Sequence, residues 1–369
     1  MSLHRDADAM QVWRDLLKVV PDDRDAPANL GNFLFSAEKY EEARGVYETA
    51  VERNPESASL YLQLGRTYLR LDDEQKSTDL FQKAMKFQPG PEMLNSVAYE
   101  LADTKHRLPD ALQYASQAVK RTEDDTADVR LDSVDVTDFR RMSALAAEWD
   151  TLGWVKLRMG DFESAGKYLE AAWYLMQSAV IGEHLAEAYE KLGKNLQAWH
   201  TYLMAYTAMG QSTDSKLRAK LSSEYAKPIP KILMKSGAPA KPFDQTDLMS
   251  MRTIALPKVG NFSGYKSAEF VVAFTRGPKV EEVRFLSGAQ ELRSATAQIA
   301  AGKFTVSFPD DAPTKILRKG VLSCSQIVKG CTFVLYPVEA VAPNLQNQFL
   351  VVRGPESSVT ASASPFGSI

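Results

Sequence analysis

Cysteine and histidine are scarce in this chain. Two cysteines, Cys324 and Cys331, and four histidines, His4, His106, His184 and His200, are scattered over 369 residues. No Cys-x-x-Cys pair occurs, which argues against a zinc site. A Cys–His nucleophilic centre would need His184 or His200 to cross from one half of the chain to the other. No glycine-rich phosphate loop or dinucleotide fingerprint is present. Positive charge is not in excess: 44 Lys and Arg stand against 47 Asp and Glu, a net charge of -3. The basic footprint of a nucleic-acid or membrane-surface binder is therefore missing. No apolar run approaches the ~18 residues of a membrane helix, and the N-terminus has no apolar signal-peptide core. These absences predict no catalytic residues, no metal, no cofactor, no nucleic-acid partner and no direct membrane insertion. If Met1-Ser2-Leu3 is an appended start, the chain is a piece of a longer protein.

What is present is a period. With 44% hydrophobic and 25% charged residues the chain has a globular composition, and its first half matches itself at an offset of 34. Leu30-Gly31 matches Leu64-Gly65, and Leu34, Tyr47, Ala50 and Pro55 match Tyr68, Phe81, Ala84 and Pro89. Small residues at a fixed period let helix backbones approach, aromatics fill the gaps beside them, and prolines separate the units. A third unit runs from about Glu92. The acidic stretch Asp124 to Met142 breaks the period and reads as an inserted loop leading into a helix. The pattern resumes at Trp149, with Gly153 facing a partner helix and Gly160 in a turn; Gly166 has no evident role. A fifth unit follows from about Ala179. The pattern resembles the tetratricopeptide repeat, which stacks helix pairs into a superhelix with a concave face.

The second half changes character. The stretch from Lys227 to Phe243 holds four prolines and reads as a linker. Beyond it the period falls toward two. Strands are predicted over 267–277, 279–288, 316–325 and 331–338, with a further one over 251–259 and a short amphipathic helix over 289–304. The cysteines flank the loop between the last two strands. A hairpin brings such ends within disulfide distance if the residues face each other; the other reading is two small buried thiols. The order β-β-α-β resembles the C-terminal domain of TonB-type energy-transduction proteins, carried by EFVVAFTRGPKVEEVRFLSG and CTFVLYP. The membrane anchor and proline-rich spacer of that family are missing. The whole arrangement, with FPDDAPTK, RKGVLSCS and CTFVLYP, also resembles acidobacterial envelope proteins in which a transglutaminase-like segment precedes the repeats. That resemblance implies a periplasmic or envelope location, and with it a Cys324–Cys331 disulfide; without it the location is cytoplasmic.

The expected fold class is α plus α+β: an α-solenoid of repeat pairs followed by a small β-β-α-β domain. Expected boundaries are an N-terminal helix or leader over 1–23, the superhelix over 24–225 with its insertion near 124–145, a linker over 226–245, the αβ domain over 246–343 and a disordered tail over 344–369. The repeat resemblance implies that the first helix of each pair lines the groove. Its outward positions include Asn32 and Phe35 in the first unit, Leu62, Arg66, Leu69 and Arg70 in the second, and Glu100 and Asp103 in the third. In the fourth they include Asp150, Trp154, Leu157 and Arg158, and in the fifth Glu183, Glu187 and Glu190. Asn32, Arg66, Arg70, Trp154 and Arg158 are the candidate peptide-binding residues, with the arginines suited to a carboxylate and the tryptophan to an aromatic side chain. The alternative has the arginines solvated or paired with Glu100 and Asp150, and Trp154 in the core. The expected function is a non-catalytic protein- or peptide-binding scaffold in an envelope assembly; the rival is an accessory C-terminal region of a larger transglutaminase-like or peptidase-like protein.

Overall fold

A computed structural model describes residues 2–20, 23, 25–210, 214–225, 245–256, 259, 264–276, 279–309, 314–325 and 330–338. The linker and tail expected over 226–245 and 344–369 lie almost wholly outside them. Helix α1 (Ser2–Val19) leads into five antiparallel pairs. These are α2 (Ala26–Ser36) with α3 (Tyr40–Arg53), α4 (Ala58–Arg70) with α5 (Glu74–Phe87), α6 (Pro91–Thr104) with α7 (Leu108–Ala127), α8 (Val136–Met159) with α9 (Phe162–Leu175), and α10 (Ala179–Lys191) with α11 (Asn195–Ala208). Helix α12 (Ser215–Tyr225) then packs on α11.

Helix starts follow local chemistry. Ser57, Asp73, Asp161 and Ser178 each accept a backbone N–H three residues on, and Asp135 with Asp138 forms a capping box at α8. Gly160 ends α8 at φ 87°, the left-handed conformation predicted for it. Glycines also set the pairing distance. A Cβ on Gly31 would lie 2.5 Å from the Tyr47 ring, one on Gly65 2.7 Å from the Phe81 ring, and one on Gly153 2.6 Å from Leu169 Cγ. At Gly166 the nearest atom is Leu192 Cδ1 at 3.4 Å, an ordinary contact, so nothing there demands glycine.

After α13 (Gln245–Ser250), five strands form one antiparallel sheet: β1 (Thr253–Leu256), β2 (Tyr265–Thr275), β3 (Lys279–Gly288), β4 (Ile316–Ser325) and β5 (Gly330–Leu335), in the order β1-β5-β4-β2-β3. The helix expected over 289–304 is shorter than predicted: a 3-10 turn at Gln290–Ala295 and then α14 (Thr296–Ala300). Phe270, Phe274, Phe285, Phe304 and Phe333 pack edge to face on the sheet. Cys324 and Cys331 are cross-strand partners joined by a disulfide.

The period break turns out to be a docking platform. Helix α7 continues to Ala127, past the predicted start of the loop, and only 128–135 is irregular. The Leu131 side chain is buried, and its carbonyl accepts from Arg284 of β3; Val129 accepts from Lys315 Nζ at 3.4 Å. The Thr126 and Thr314 hydroxyls bond each other, and the Leu317 N–H meets Met142 Sδ at 3.2 Å. The sheet also closes the C-terminal end of α9. Val338 N donates to Leu175 O at 3.0 Å and Arg318 Nη1 to Tyr174 O at 2.6 Å, satisfying carbonyls that a helix end leaves unpaired. One hydrophobic core runs through repeats two to five and into the sheet.

Candidate functional site

The first helices α2, α4, α6, α8 and α10 touch in sequence through their side chains, and the five candidate residues fall along that line. Arg66 lies with its guanidinium carbon 4.1 Å from the Phe35 ring centroid, linking α4 to α2. Its Nε is 3.2 Å from Glu100 Oε1, linking α4 to α6. Arg70 Nη2 donates to Asp103 Oδ2 at 2.6 Å and lies 3.7 Å from Glu100 Oε2. Arg158 Nε donates to the Ala102 carbonyl at 3.4 Å, joining α8 to α6, and Arg158 Nη1 is 3.9 Å from Glu187 on α10. Lys220 of α12 bonds Glu183 and lies 3.8 Å from Glu187. The row is therefore charge-balanced.

Burial decides which of these groups a ligand meets. Arg66 and Arg70 keep 28% and 25% of their side-chain surface exposed. Glu100 is buried, and burial pushes its carboxyl above the ordinary range against the pull of Arg66 and Arg70. Trp154 does not stand open in the groove. It is 5% exposed, stacked on His184 with centroids 4.1 Å apart, and covered by Arg158 with its guanidinium carbon 4.7 Å from the ring. Leu69 and Leu157, expected to face the groove, are likewise buried in the core. Asn32 is held by its own pair: the Tyr47 hydroxyl donates to Asn32 Oδ1 at 2.7 Å.

His184 on α10 is a buried residue that the repeat positions did not single out. Its Nδ1 is 2.9 Å from Asp150 and its Nε2 3.6 Å from Glu183. Burial lowers its pKa, but attraction to Asp150, the hydrogen bond between them and Glu183 together outweigh burial, so the net direction is up. The signal for these pairs was one repeat period. Asp150 and His184 are 34 apart and Arg70 and Asp103 33 apart, which puts each pair on adjacent first helices. Among the described residues, no group of three or more His, Cys, Asp or Glu could hold a metal ion. No helix of the described residues is long and apolar enough to cross a membrane.

Comparison with known proteins agrees with the helix pairs. Residues 31–72 match a family model described as TPR repeat, and residues 58–91 one described as Tetratricopeptide repeat. Residues 31–91 thus carry tetratricopeptide repeats. No curated protein matches the chain. Among solved structures it is similar to a thermophilic TPR protein of Thermus thermophilus, at 22% identity over 55% of this chain and 98% of that one, with a TM-score of 0.41. It is also similar to PilF of Pseudomonas aeruginosa, at 18% identity over 58% of this chain and 97% of that one, with a TM-score of 0.36. A third is YrrB, a TPR protein with an unusual peptide-binding site, at 17% identity over 58% of this chain and 100% of that one, with a TM-score of 0.32.

Proposed function

We propose that this chain is a non-catalytic scaffold that binds a protein or peptide segment along its first helices, with Arg66, Arg70 and Arg158 as the polar contacts. The observation that carries this reading is the row of charges, the arginines 20–28% exposed, paired across helices rather than within them. A segment that brings both a carboxylate and an amine takes up both members of an internal pair and leaves no charge unpaired, so binding avoids the penalty of stranding a buried ion. Trp154 supports Arg158 from beneath, and Asn32 fixes Tyr47 at the first pair. A balanced row of this kind favours a segment carrying both signs of charge over a purely acidic or basic one.

The disulfide supports an oxidising compartment, and so the periplasm or envelope as the site of action. The strand order β2-β3, short helix, β4-β5 supports the likeness to TonB C-terminal domains. The outer strands β1 and β3 are where a partner strand would add to the sheet. The second reading, an accessory region that orients a transglutaminase-like or peptidase-like enzyme, is favoured by the docking of the sheet on α7, α8 and α9, which holds the halves in one arrangement.

The test is selection from a displayed library of random peptides against the whole chain. A variant with Arg66→Gln, Arg70→Gln and Arg158→Gln, checked for folding by circular dichroism, serves as the counter-target. Enriched peptides that bind the variant at least about tenfold more weakly, a difference of ~1.4 kcal/mol, support the groove. Peptides that bind both chains equally, or no enrichment, contradict it.

A further inference from the structure

The most unusual polar group in the molecule lies outside the groove. Arg318 sits in the middle of β4, on the sheet face it shares with Ile316, Gly320 and Leu322, and is 2% exposed. Its Nε donates to Tyr336 O at 2.8 Å and its Nη1 to Tyr174 O at 2.6 Å. Both acceptors are neutral carbonyls. Among the described residues its Nη2 has no acceptor. A guanidinium offers five N–H donors and does not give up its proton in the physiological range. Burying it with no carboxylate partner among the described residues is a large cost that folding alone does not demand, since a leucine would suit the same face of the strand. Burial, with Arg252 nearby, pushes the Arg318 pKa down to about 9, so the group is still a cation at neutral pH.

A cavity adjoins it. With a volume of about 160 Å³, it is lined by Arg318, Arg252, Lys303, Ser250, Thr253 and Thr305 among others, and among the described residues no carboxylate lines it. That volume is an order of magnitude above the ~10–15 Å³ needed to seat one water. Arg318 and Lys303, with Arg252 beside them, give a pocket whose described lining holds no acid the positive charge of an anion site. The two arginines come from β4 and from the residue just before β1, and Lys303 follows α14. The C-terminal turn of α9 forms one wall through Tyr174, so the pocket sits on the seam between repeats and sheet.

We propose that this pocket binds a small oxyanion, a carboxylate or a phosphate, with Arg318 as its buried anchor and Lys303 at its exposed edge. Occupancy completes the guanidinium's hydrogen bonds and ties β4, β1 and α9 together, so the ligand acts as a clamp across the seam. Nothing in this inference depends on the groove.

Thermal unfolding of the whole chain tests it, with inorganic phosphate in one series and acetate in another, at ionic strength held constant with chloride. A ligand that binds only the folded state raises the midpoint in a concentration-dependent way. The expected result is a rise beyond that of chloride in at least one series, which also tells the two anion classes apart. In Lys303→Met the apparent affinity falls several-fold, and in Arg318→Met the anion response is lost. Should Arg318→Met fail to fold, Lys303→Met with Thr305→Val decides alone, because both side chains are exposed. The proposal is overturned if neither anion exceeds chloride, as when a carboxylate of the chain itself fills the pocket. An equal response in the parent and the edge variant overturns it as well.

Discussion

At Gly153 an added methyl group would meet Leu169 at 2.6 Å from its Cγ and 3.2 Å from its backbone nitrogen. Gly153→Ala is therefore expected to destabilise the chain by about 1–3 kcal/mol through overpacking. Gly166, thirteen residues on, has ordinary room, so Gly166→Ala should be neutral or stabilising by up to ~1 kcal/mol, the helix preference of alanine. Urea denaturation of the two variants separates them. Close packing is what made the repeats legible: it forces small residues and aromatics to recur at one spacing, which a sequence displays directly. A second residue carries a pH signature. Glu148 is buried, with Thr122 Oγ1 donating to its Oε1 at 3.0 Å and its Oε2 unpartnered. Burial, reinforced by Glu92, Glu123 and Asp125, raises its pKa from 4.5 to about 8. The folded state thus holds this proton more tightly than the unfolded state. The contribution is fully present below the unfolded value and is lost as pH rises toward about 8. Glu148→Gln should flatten that decline in stability measured against pH. An unchanged slope would mean that Glu148 does not titrate in that window.

Elements that follow a period were readable, and the element that interrupts the period was not. The stretch after α7 lacks helix signals, yet 128–135 receives the sheet through Val129 and Leu131. Leu131 is 1% exposed in an irregular loop. Leu131→Ala is expected to cost about 2–5 kcal/mol, the range for a core leucine, and to speed hydrogen exchange in β4. A cost typical of a surface loop, below ~0.5 kcal/mol, would mean that the platform carries no weight. Strands β4 and β5 were legible from alternation because one face of each is buried along most of its length. Arg318 broke that alternation in plain view, as the one cation among Ile316, Gly320, Leu322 and Cys324 on its face of β4. The short helix was overextended because Ala297, Ala300 and Ala301 favour helix, while Gly302 ends it where Ile254 and Phe304 close in.

For the whole molecule, the shared core of repeats two to five and the docked sheet predicts that the two unfold together. Reduction of Cys324–Cys331 removes a short cross-link whose chain-entropy contribution is roughly 2 to 3 kcal/mol. The expected result is a lower midpoint for the single transition seen by calorimetry; a second, separate transition would show that the halves unfold independently. The groove was legible only in part. Repeat register left two readings open, and the structure follows the second in part: Arg66 and Arg70 meet Glu100 and Trp154 is buried, but Arg158 meets Glu187 rather than Asp150. The Arg158–Glu187 pairing and the cover of Arg158 over Trp154 depend on the stagger between neighbouring units, which no single repeat displays. The central claim is that this row of paired charges is a binding surface. Hydrogen exchange on the intact chain, with and without a peptide from the library selection, tests it most directly. Slowed exchange in α4, α6, α8 and α10 is the predicted result. Protection confined to β1, β3 or the rest of the sheet would contradict it.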